Sequence, residues 1–223
     1  HRANKMNSEP ARPNHLSPFA KNRILLIFNI FVFGLIMGAL MAFFANLFVN
    51  TVALISSYRN TIEAFTVKAN GFTLNYFPVI TLVAAASIII IIKKRFKISR
   101  WNGPADAIYA AHRTDNELNT KVGYLSTLVA LISASGGASI GQYGPLVHLG
   151  ATIGTSLKTF TKDLLSTDVF LGCGVAGAIS AGFGAPLAGI IFAHEAVLRH
   201  FSMRALAPIA IASFTASAVT EKI

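Results

Sequence analysis

The 223-residue chain is 53% hydrophobic and 13% charged, with a mean hydropathy of +0.58. This balance excludes an ordinary soluble domain and indicates lipid as the main solvent. The formal net charge of +10 resides in short segments beside apolar runs, which favours a positive-inside membrane protein over a nucleic-acid-binding surface. Cys173 is the only cysteine, so an internal disulfide and a thiolate metal site are excluded, and we expect a small packed residue there.

The first part of the chain predicts a helical hairpin. Residues 1–22 are expected to be a polar cytoplasmic tail, because they lack the apolar core of a signal peptide. The almost uncharged run that follows exceeds the roughly 20 residues that span a bilayer, and it predicts one long, tilted helix over 24–56. A second helix is predicted over 77–94, where a basic cluster stops an Ile- and Val-rich run.

The charges around this hairpin predict its orientation. Basic residues precede the first helix and follow the second, whereas the loop over 58–76 contains only Arg59 and Lys68 as basic residues. By the positive-inside rule, the loop is expected outside and the chain is a multi-pass protein with a cytoplasmic N-terminus.

After Arg100 the apolar segments become short and are interrupted by glycine and proline. They predict helices over 104–113, 120–135, 145–158, 167–181, 186–199 and 203–219, and we expect only helices and turns throughout the chain. Helix ends at membrane depth leave backbone N–H and C=O groups without partners, and lipid cannot form hydrogen bonds with these groups. Such breaks therefore occur inside protein or beside water and ions, where substrate sites are built.

The segment 135–145, SGGASIGQYGP, is the most informative of these breaks. Glycines allow close backbone approach, and Pro145 suits the first turn of a helix. The exposed N–H groups and the positive end of the helix dipole attract an anion without a full positive charge that would trap it. The candidate anion-binding residues are Gly141, Gln142, Tyr143, Gly144 and Pro145. Glycines in membrane helices also serve close helix packing, so both interpretations stay open.

A second segment, 172–195, contains small residues at three- and four-residue spacing. This spacing predicts helices that pack backbone to backbone, and FGAPLAG predicts a break followed by a new helix start. Glu195 follows a run of apolar or small residues. Because an acid is costly in lipid, we expect Glu195 to be a structural acid that faces protein, water or a helix terminus.

Together the two segments resemble the CLC family of chloride channels and transporters. The family patterns GSGGSLGREGP and GLAAAFNAPLAGILFIIEE correspond here to SGGASIGQYGP and GAISAGFGAPLAGIIFAHEA, and the resemblance covers roughly residues 24–220. It implies an all-α integral membrane fold of tilted and broken helices over 23–223, the first of two inverted repeats. It further implies a homodimer formed through membrane helices, in which each subunit has its own pore lined by helix N-termini.

The departures from the family pattern concern proton coupling. The family's gating glutamate falls on Tyr143, the arginine before it on Gln142, and the second acid of its EE pair on Ala196, while Glu195 matches the first acid. Proton exchange requires titratable groups along the route. The pattern therefore favours a passive, chloride-selective channel in which Tyr143 occupies the gate position. Its hydroxyl could donate to chloride or its ring could pack against neighbouring helices.

The family's second anion loop, GSGIP, falls on the sequence around Asn102 and Gly103, where the central serine is absent. The resemblance makes Asn102 and Gly103 further anion-site candidates. The Asn102 amide could donate to the ion, or Asn102 could cap the following helix.

Three alternatives to a passive channel are considered. One is a proton-coupled chloride antiporter of the same family, and another is a non-conducting membrane scaffold. An enzyme is not expected, since no nucleophile–base pair is evident. We expect no cofactor and no metal site, because His148 and His194 are predicted to be hydrogen-bonded core residues. The expected partners are the bilayer, chloride and a second subunit, and the second half of the family pattern is expected from a longer protein or another chain.

Overall fold

The computed structural model describes residues 18–62, 65–69, 71–112, 118–161, 165–199, 201 and 203–223. The elements in these ranges are α1 (Pro18–Thr61), β1 (Thr66–Ala69), β2 (Phe72–Asn75), α2 (Phe77–Phe96), α3 (Pro104–His112), α4 (Thr120–Gly136), α5 (Tyr143–Thr161), α6 (Thr167–Phe183), α7 (Pro186–Phe192), a π-helical segment (Ala193–Leu198) and α8 (Met203–Thr220).

The predicted helical membrane fold is confirmed, and every predicted helix is present with ends shifted by a few residues. The largest shift is in α1, which is 44 residues long. It begins at Pro18, inside the predicted tail, of which residues 1–17 lie outside the described residues. It also continues past residue 56, and polar side chains in its last turns bond to carbonyls of the same helix. Ser57 donates to the Leu54 carbonyl at 2.7 Å and Thr61 to the Ser57 carbonyl at 2.8 Å.

The expectation of helices and turns alone is wrong for the loop over 58–76. Strands β1 and β2 form an antiparallel hairpin in which Val67 lies opposite Leu74. The local signal for this hairpin is the dipeptide Asn70-Gly71 between two alternating segments, and Gly71 has a φ of +81°. The hairpin is fixed to both flanking helices by Asn75, whose side chain donates to the Ile62 carbonyl and accepts from the N–H of Phe77.

Three helical stretches in the described ranges are long and apolar enough to cross a bilayer: Ile24–Thr61, Phe77–Phe96 and Met203–Thr220. The apolar stretches Thr167–Phe183 and Pro186–Leu198 are shorter, as the interrupted sequence after Arg100 predicts. Helix α2 buries only Ala85, so nearly all of its Ile and Val side chains lie on the surface. Exposed aliphatic side chains all around a helix are typical of contact with lipid.

The core is organised around α6, whose residues from 169 to 181 are all buried. Helices α5 and α6 touch through their backbones: a Cβ added at Gly174 would lie 1.9 Å from the Gly150 carbonyl oxygen, and one at Gly154 would lie 2.3 Å from that of Phe170. The predicted role of small residues in helix packing is therefore confirmed. Cys173 is a fully buried free thiol in this core, as its position among glycines predicts.

Candidate anion-binding site

The predicted break between α4 and α5 is present. Helix α4 ends at Gly136, and Gly137 adopts the left-handed conformation with a φ of +107°. The N–H of Gly137 donates to the Ala134 carbonyl and that of Ala138 to the Ser133 carbonyl, each at 3.1 Å. This pair of bonds is the Schellman helix ending, which places a residue with positive φ directly after the helix and so favours glycine.

The last carbonyls of α4 are bonded by side chains from α1 and α2. Nη1 of Arg59 donates to the Ser135 carbonyl at 3.0 Å, and Oγ1 of Thr81 donates to the Gly136 carbonyl at 3.0 Å. These bonds satisfy backbone acceptors at the negative end of the helix dipole, where a cation is also favoured. The negative end of α4 is therefore compensated before the chain reaches the anion-site candidates.

The start of α5 provides backbone donors without partners. The helix begins at Tyr143, and Pro145 occupies its third position. The N–H groups of the first turn of a helix have no acceptor within the helix, and no other described group accepts from the N–H of Tyr143 or Gly144. A Cβ added at Gly141 would meet nothing within 4 Å. Free donors beside open space at a helix N-terminus suit an anion.

The second candidate loop, at the start of α3, differs because its donors are already used. The N–H of Gly103 donates to Oδ2 of Asp106 at 2.7 Å, and the N–H of Asn102 donates to Oγ of Ser126 at 2.9 Å. Asp106 also forms an ion pair with Arg100. Asp106, which lies three residues after Gly103, therefore caps the start of α3. The prediction that Asn102 caps this helix is wrong.

The starts of α3 and α5 are in contact. A Cβ added at Gly144 would lie 3.5 Å from Cγ of Pro104, so the fold brings the two candidate loops together. His148 lies on the next turn of α5, close to Asp106 and the Gly103 backbone. It is 1% exposed, which confirms its predicted place in the core. Neither ring nitrogen forms a hydrogen bond of good geometry with any described group, so the expectation of a hydrogen-bonded core histidine is not met.

Tyr143 contributes its backbone to the start of α5 and its ring to a second contact. The ring lies on Phe183 with a centroid distance of 4.0 Å, and a Cβ added at Gly182 would meet Cδ1 of Tyr143 at 2.6 Å. The tyrosine thereby joins the α4–α5 break to the end of α6. It also lines a cavity of about 310 Å³ with the polar side chains Asn46, Asn50 and Thr220. Asn46 and Asn50 lie one turn apart on α1, and Asn50 donates to Asn46. That they share a cavity with Tyr143 and Thr220 could not be predicted, because it depends on how α1, α5 and α8 pack.

The predicted break between α6 and α7 is also present. Gly184 has a φ of +62°, its N–H donates to the Ser180 carbonyl at 2.9 Å, and α7 begins at Pro186. Oγ of Ser213 in α8 donates to the Pro186 carbonyl at 2.8 Å, which fixes the start of α7 against α8.

Helix α7 continues into the π-helical segment, which contains the acid-pair positions. Glu195 is exposed, Ala196 is half-buried, and His194 is buried with Nδ1 2.9 Å from the Ile190 carbonyl. One nitrogen of His194 therefore has the hydrogen bond that was expected of it. Its other ring nitrogen, Nε2, has no partner among the described groups.

A basic cavity of about 530 Å³ borders the second candidate loop. Its cations are Lys97, Arg100 and Lys121, and it is lined by Phe96, Lys97, Ile98, Ser99, Arg100, Asn102, Asn119, Lys121, Val122 and Leu125. None of these lining residues is acidic. The cations come from the end of α2, the following loop and the start of α4, so the sequence does not reveal them as one group.

Comparisons with known proteins show the family of this chain. Residues 83–223 match the family model described as voltage gated chloride channel. A ClcB-like chloride channel protein of Ralstonia nicotianae is 28% identical over 125 residues, which are 54% of this chain and 29% of the relative. A voltage-gated ClC-type chloride channel, ClcB, of Yersinia pseudotuberculosis is 25% identical over 137 residues, which are 61% of this chain and 33% of the relative.

Two solved structures share the fold. A CLC-type fluoride/proton antiporter superposes with a TM-score of 0.68 at 20% identity, over 88% of this chain and 47% of the antiporter. A slow cyanobacterial chloride/proton antiporter superposes with a TM-score of 0.66 at 16% identity, over 86% of this chain and 46% of the antiporter. The chain thus spans about a third of the length of its curated relatives and just under half of these solved chains. Since the family model covers more than half of the chain, the chain belongs to the CLC family of voltage-gated chloride channels and transporters.

Proposed function

We propose that this chain supplies one half of a passive, chloride-selective pathway in which the N–H groups at the start of α5 hold the anion. The observation that carries the proposal is the pair of unpartnered donors on Tyr143 and Gly144, beside the open space in front of Gly141. A helix N-terminus attracts an anion through several partial charges. The chain's membership in a family of chloride channels and transporters makes chloride the expected ligand.

The two arginines nearest the candidate loops are both bonded to protein groups, which favours conduction over storage of the ion. Arg100 is paired with Asp106 beside the start of α3, and Arg59 is bonded to the Ser135 carbonyl at the end of α4. A pathway must bind an ion well enough to replace its water and weakly enough to release it. Partial charges from backbone N–H groups meet both conditions.

Passive transport is favoured because the family's two acids are replaced. Tyr143 stands at the gating position, Gln142 at the position of the arginine before it, and Ala196 at the second position of the acid pair, so neither acid position carries a carboxylate that could exchange a proton. A proton-coupled antiporter is the second candidate. Both similar solved structures are antiporters by title, and the buried titratable groups His148 and His194 would serve a proton route.

The remaining parts of the proposal concern access and assembly. The basic cavity lined by Lys97, Arg100 and Lys121 borders Asn102, and its positive potential would concentrate anions before they reach the helix starts. We place this cavity and the N-terminus on the cytoplasmic side by the positive-inside rule. We further propose that two subunits pair through membrane helices, each with its own pathway.

Flux measurements with the purified protein in liposomes test the proposal. Chloride efflux is recorded with an ion-selective electrode while valinomycin carries potassium, and a pH electrode records proton movement in the same sample. Passive conduction predicts efflux without proton uptake and a reversal potential that does not change with a pH gradient. Proton uptake at a fixed ratio to chloride would establish the antiporter instead. Folded protein that carries no chloride when the other half of the pathway is also present would establish the scaffold.

A further inference from the structure

A crevice between α1, α2 and α4 lies apart from the candidate anion site. It has a volume of about 350 Å³ and is lined by Thr51, Ile55, Arg59, Thr81, Ala84, Ala85, Ile88, Leu131, Ile132, Ser135 and Gly136. Most of these side chains are aliphatic. Arg59, Thr81 and Ser135 lie at one end, the polar end, where α1 and α4 finish and α2 begins. Thr51 lies about two turns earlier on α1, and its hydroxyl already donates to the Leu47 carbonyl.

Two buried polar atoms at this polar end have no hydrogen-bond partner in the described part of the chain. They are Nε of Arg59 and Oγ of Ser135, and Ser135 is only 6% exposed. A buried donor or acceptor without a partner costs about 1–3 kcal/mol, and more when it is charged. Such a cost is removed when a ligand supplies the missing partner.

The unpartnered Arg59 donor is held in place rather than free to reach water. Nη1 of the same guanidinium donates to the Ser135 carbonyl at 3.0 Å, and Gly137 leaves room for it, since a Cβ there would lie 2.9 Å from Nη1. Thr81 bonds neither atom: its one hydroxyl proton is shared between the Pro78 carbonyl at 2.9 Å and the Gly136 carbonyl at 3.0 Å, and no described group is a hydrogen-bond partner of Arg59 Nε or Ser135 Oγ. An oxygen atom that carries negative charge is the partner that an arginine N–H binds most strongly.

The surroundings of the crevice distinguish a lipid from a small anion. Val79, Ile80, Val83 and Ile88 of α2 are each 46–61% exposed and form an apolar surface beside the opening. A hydrated halide gains nothing from such walls, because burying a charge among aliphatic groups is costly. An acyl chain gains about 0.8 kcal/mol for each buried CH₂. The β-hairpin lies at the polar end, between α1 and α2, which are both long and apolar enough to cross a bilayer, so we expect this end to lie at the level of the headgroups.

We propose that this crevice binds one phospholipid, with a phosphate oxygen accepting from Nε of Arg59 and from the Ser135 hydroxyl, and an acyl chain lying along Ala84, Ile88 and Leu131. The site does not depend on the proposed transport function. It joins α1 and α2 to the end of α4 and therefore supports the helix that precedes the candidate anion loop.

Fluorescence quenching by brominated lipid tests the proposal. Trp101 is the only tryptophan, so a Trp101→Phe background allows one indole to be placed at Ile88→Trp inside the crevice. The matched control is Ile91→Trp, on the same helix but outside the lining, at a residue that is 65% exposed. Detergent-solubilised protein is titrated with phosphatidylglycerol that carries bromine on its acyl chains. Saturable quenching is expected for Ile88→Trp, with a midpoint at least tenfold below that for Ile91→Trp.

Two further variants separate the apolar and polar parts of the site. Ala84→Phe, added to the Ile88→Trp protein, is expected to abolish the saturable phase because its ring fills the crevice. Ser135→Ala is expected to raise the phosphatidylglycerol midpoint about threefold or more, and to leave that of brominated diacylglycerol unchanged. Far-UV circular dichroism and the elution volume confirm that each variant is folded.

Three results would overturn the proposal. Equal midpoints for the two indoles would mean bulk lipid contact without a site. Equal midpoints for phosphatidylglycerol and diacylglycerol in the Ile88→Trp protein would mean that the site does not bind the phosphate group. An Ile88→Trp indole that no brominated lipid quenches would mean that protein, rather than lipid, covers the crevice.

Discussion

Replacement of Gly141 by valine should reduce chloride efflux while leaving the free energy of unfolding almost unchanged. Gly141 lies in the loop before α5, and a Cβ at this position meets nothing within 4 Å. Its φ lies outside the left-handed region that disfavours other residues. A valine therefore fits the protein, and we expect its side chain to enter the open space near the start of α5, which lies two residues further along the chain. We expect the free energy of unfolding to change by less than about 0.5 kcal/mol, as for a surface substitution.

The effect on chloride follows from the donors that the valine covers. A hydrogen bond to a charged partner contributes about 1.5–3 kcal/mol, and 1.4 kcal/mol corresponds to a factor of ten in occupancy. If valine keeps the anion from one of the N–H groups of Tyr143 and Gly144, occupancy falls about 10- to 100-fold. We expect Gly141→Val to reduce chloride efflux at least about tenfold at low chloride, where occupancy limits the rate.

The assay is chloride efflux from liposomes, with the thermal unfolding midpoint measured on the same preparations. Gly141→Ala is the matched control, because one methyl group leaves most of the open space free and should reduce efflux less than threefold. Wild-type efflux from folded Gly141→Val protein would refute the reasoning, since the anion would then pass without approaching the start of α5.

Three further predictions concern the gate position, the core and the second loop. In Tyr143→Glu, chloride efflux should rise as the pH falls, because an ionised carboxylate competes with chloride for the α5 N–H groups and protonation removes that competition. Tyr143→Gln should lack this pH dependence. A Tyr143→Glu variant whose efflux does not change with pH would contradict the proposed anion site. Gly174→Ala should destabilise the protein by about 1–3 kcal/mol, because its Cβ would lie 1.9 Å from the Gly150 carbonyl oxygen; an unfolding midpoint equal to that of wild type would mean that α5 and α6 separate without cost. Asp106→Ala removes the acceptor of the Gly103 N–H and the partner of Arg100, so it should lower the free energy of unfolding by about 0.5–2 kcal/mol. The measurement is the thermal unfolding midpoint, which Asp106→Glu should partly restore.

The helix breaks could be predicted because their causes are local. Gly137 and Gly184 both adopt positive φ after a helix, and Pro145 and Pro186 both stand in the first turn of the next one. Each choice depends on the residue's own backbone preference and on its neighbours in sequence. The hairpin at Gly71 is local in the same sense. Its Asn-Gly signal is present in the sequence, but the long apolar runs on both sides favour the prediction of helices and turns alone.

The contacts that build the site could not be predicted in the same way. Arg59 caps α4 at Ser135, a residue 76 positions later, and the ring of Tyr143 reaches Phe183. Such contacts depend on how whole helices are placed against one another. In a soluble protein the apolar face of a helix indicates which side is inward, but α1 and α2 are apolar on all sides, so their pattern contains little information about orientation.

The sequence by itself determined that the chain lies in a membrane, which segments form helices to within a few residues, and which glycine and proline positions break them, because hydropathy and backbone preference are properties of short segments. The tertiary structure decided which helix starts keep free donors. The N–H groups of Gly103 and Asn102 are bonded by Asp106 and Ser126, whereas those of Tyr143 and Gly144 have no described acceptor. The physical reason is that a backbone donor is available to an ion only when no neighbour in space accepts from it, and Ser126 becomes a neighbour of Asn102 only in the folded chain.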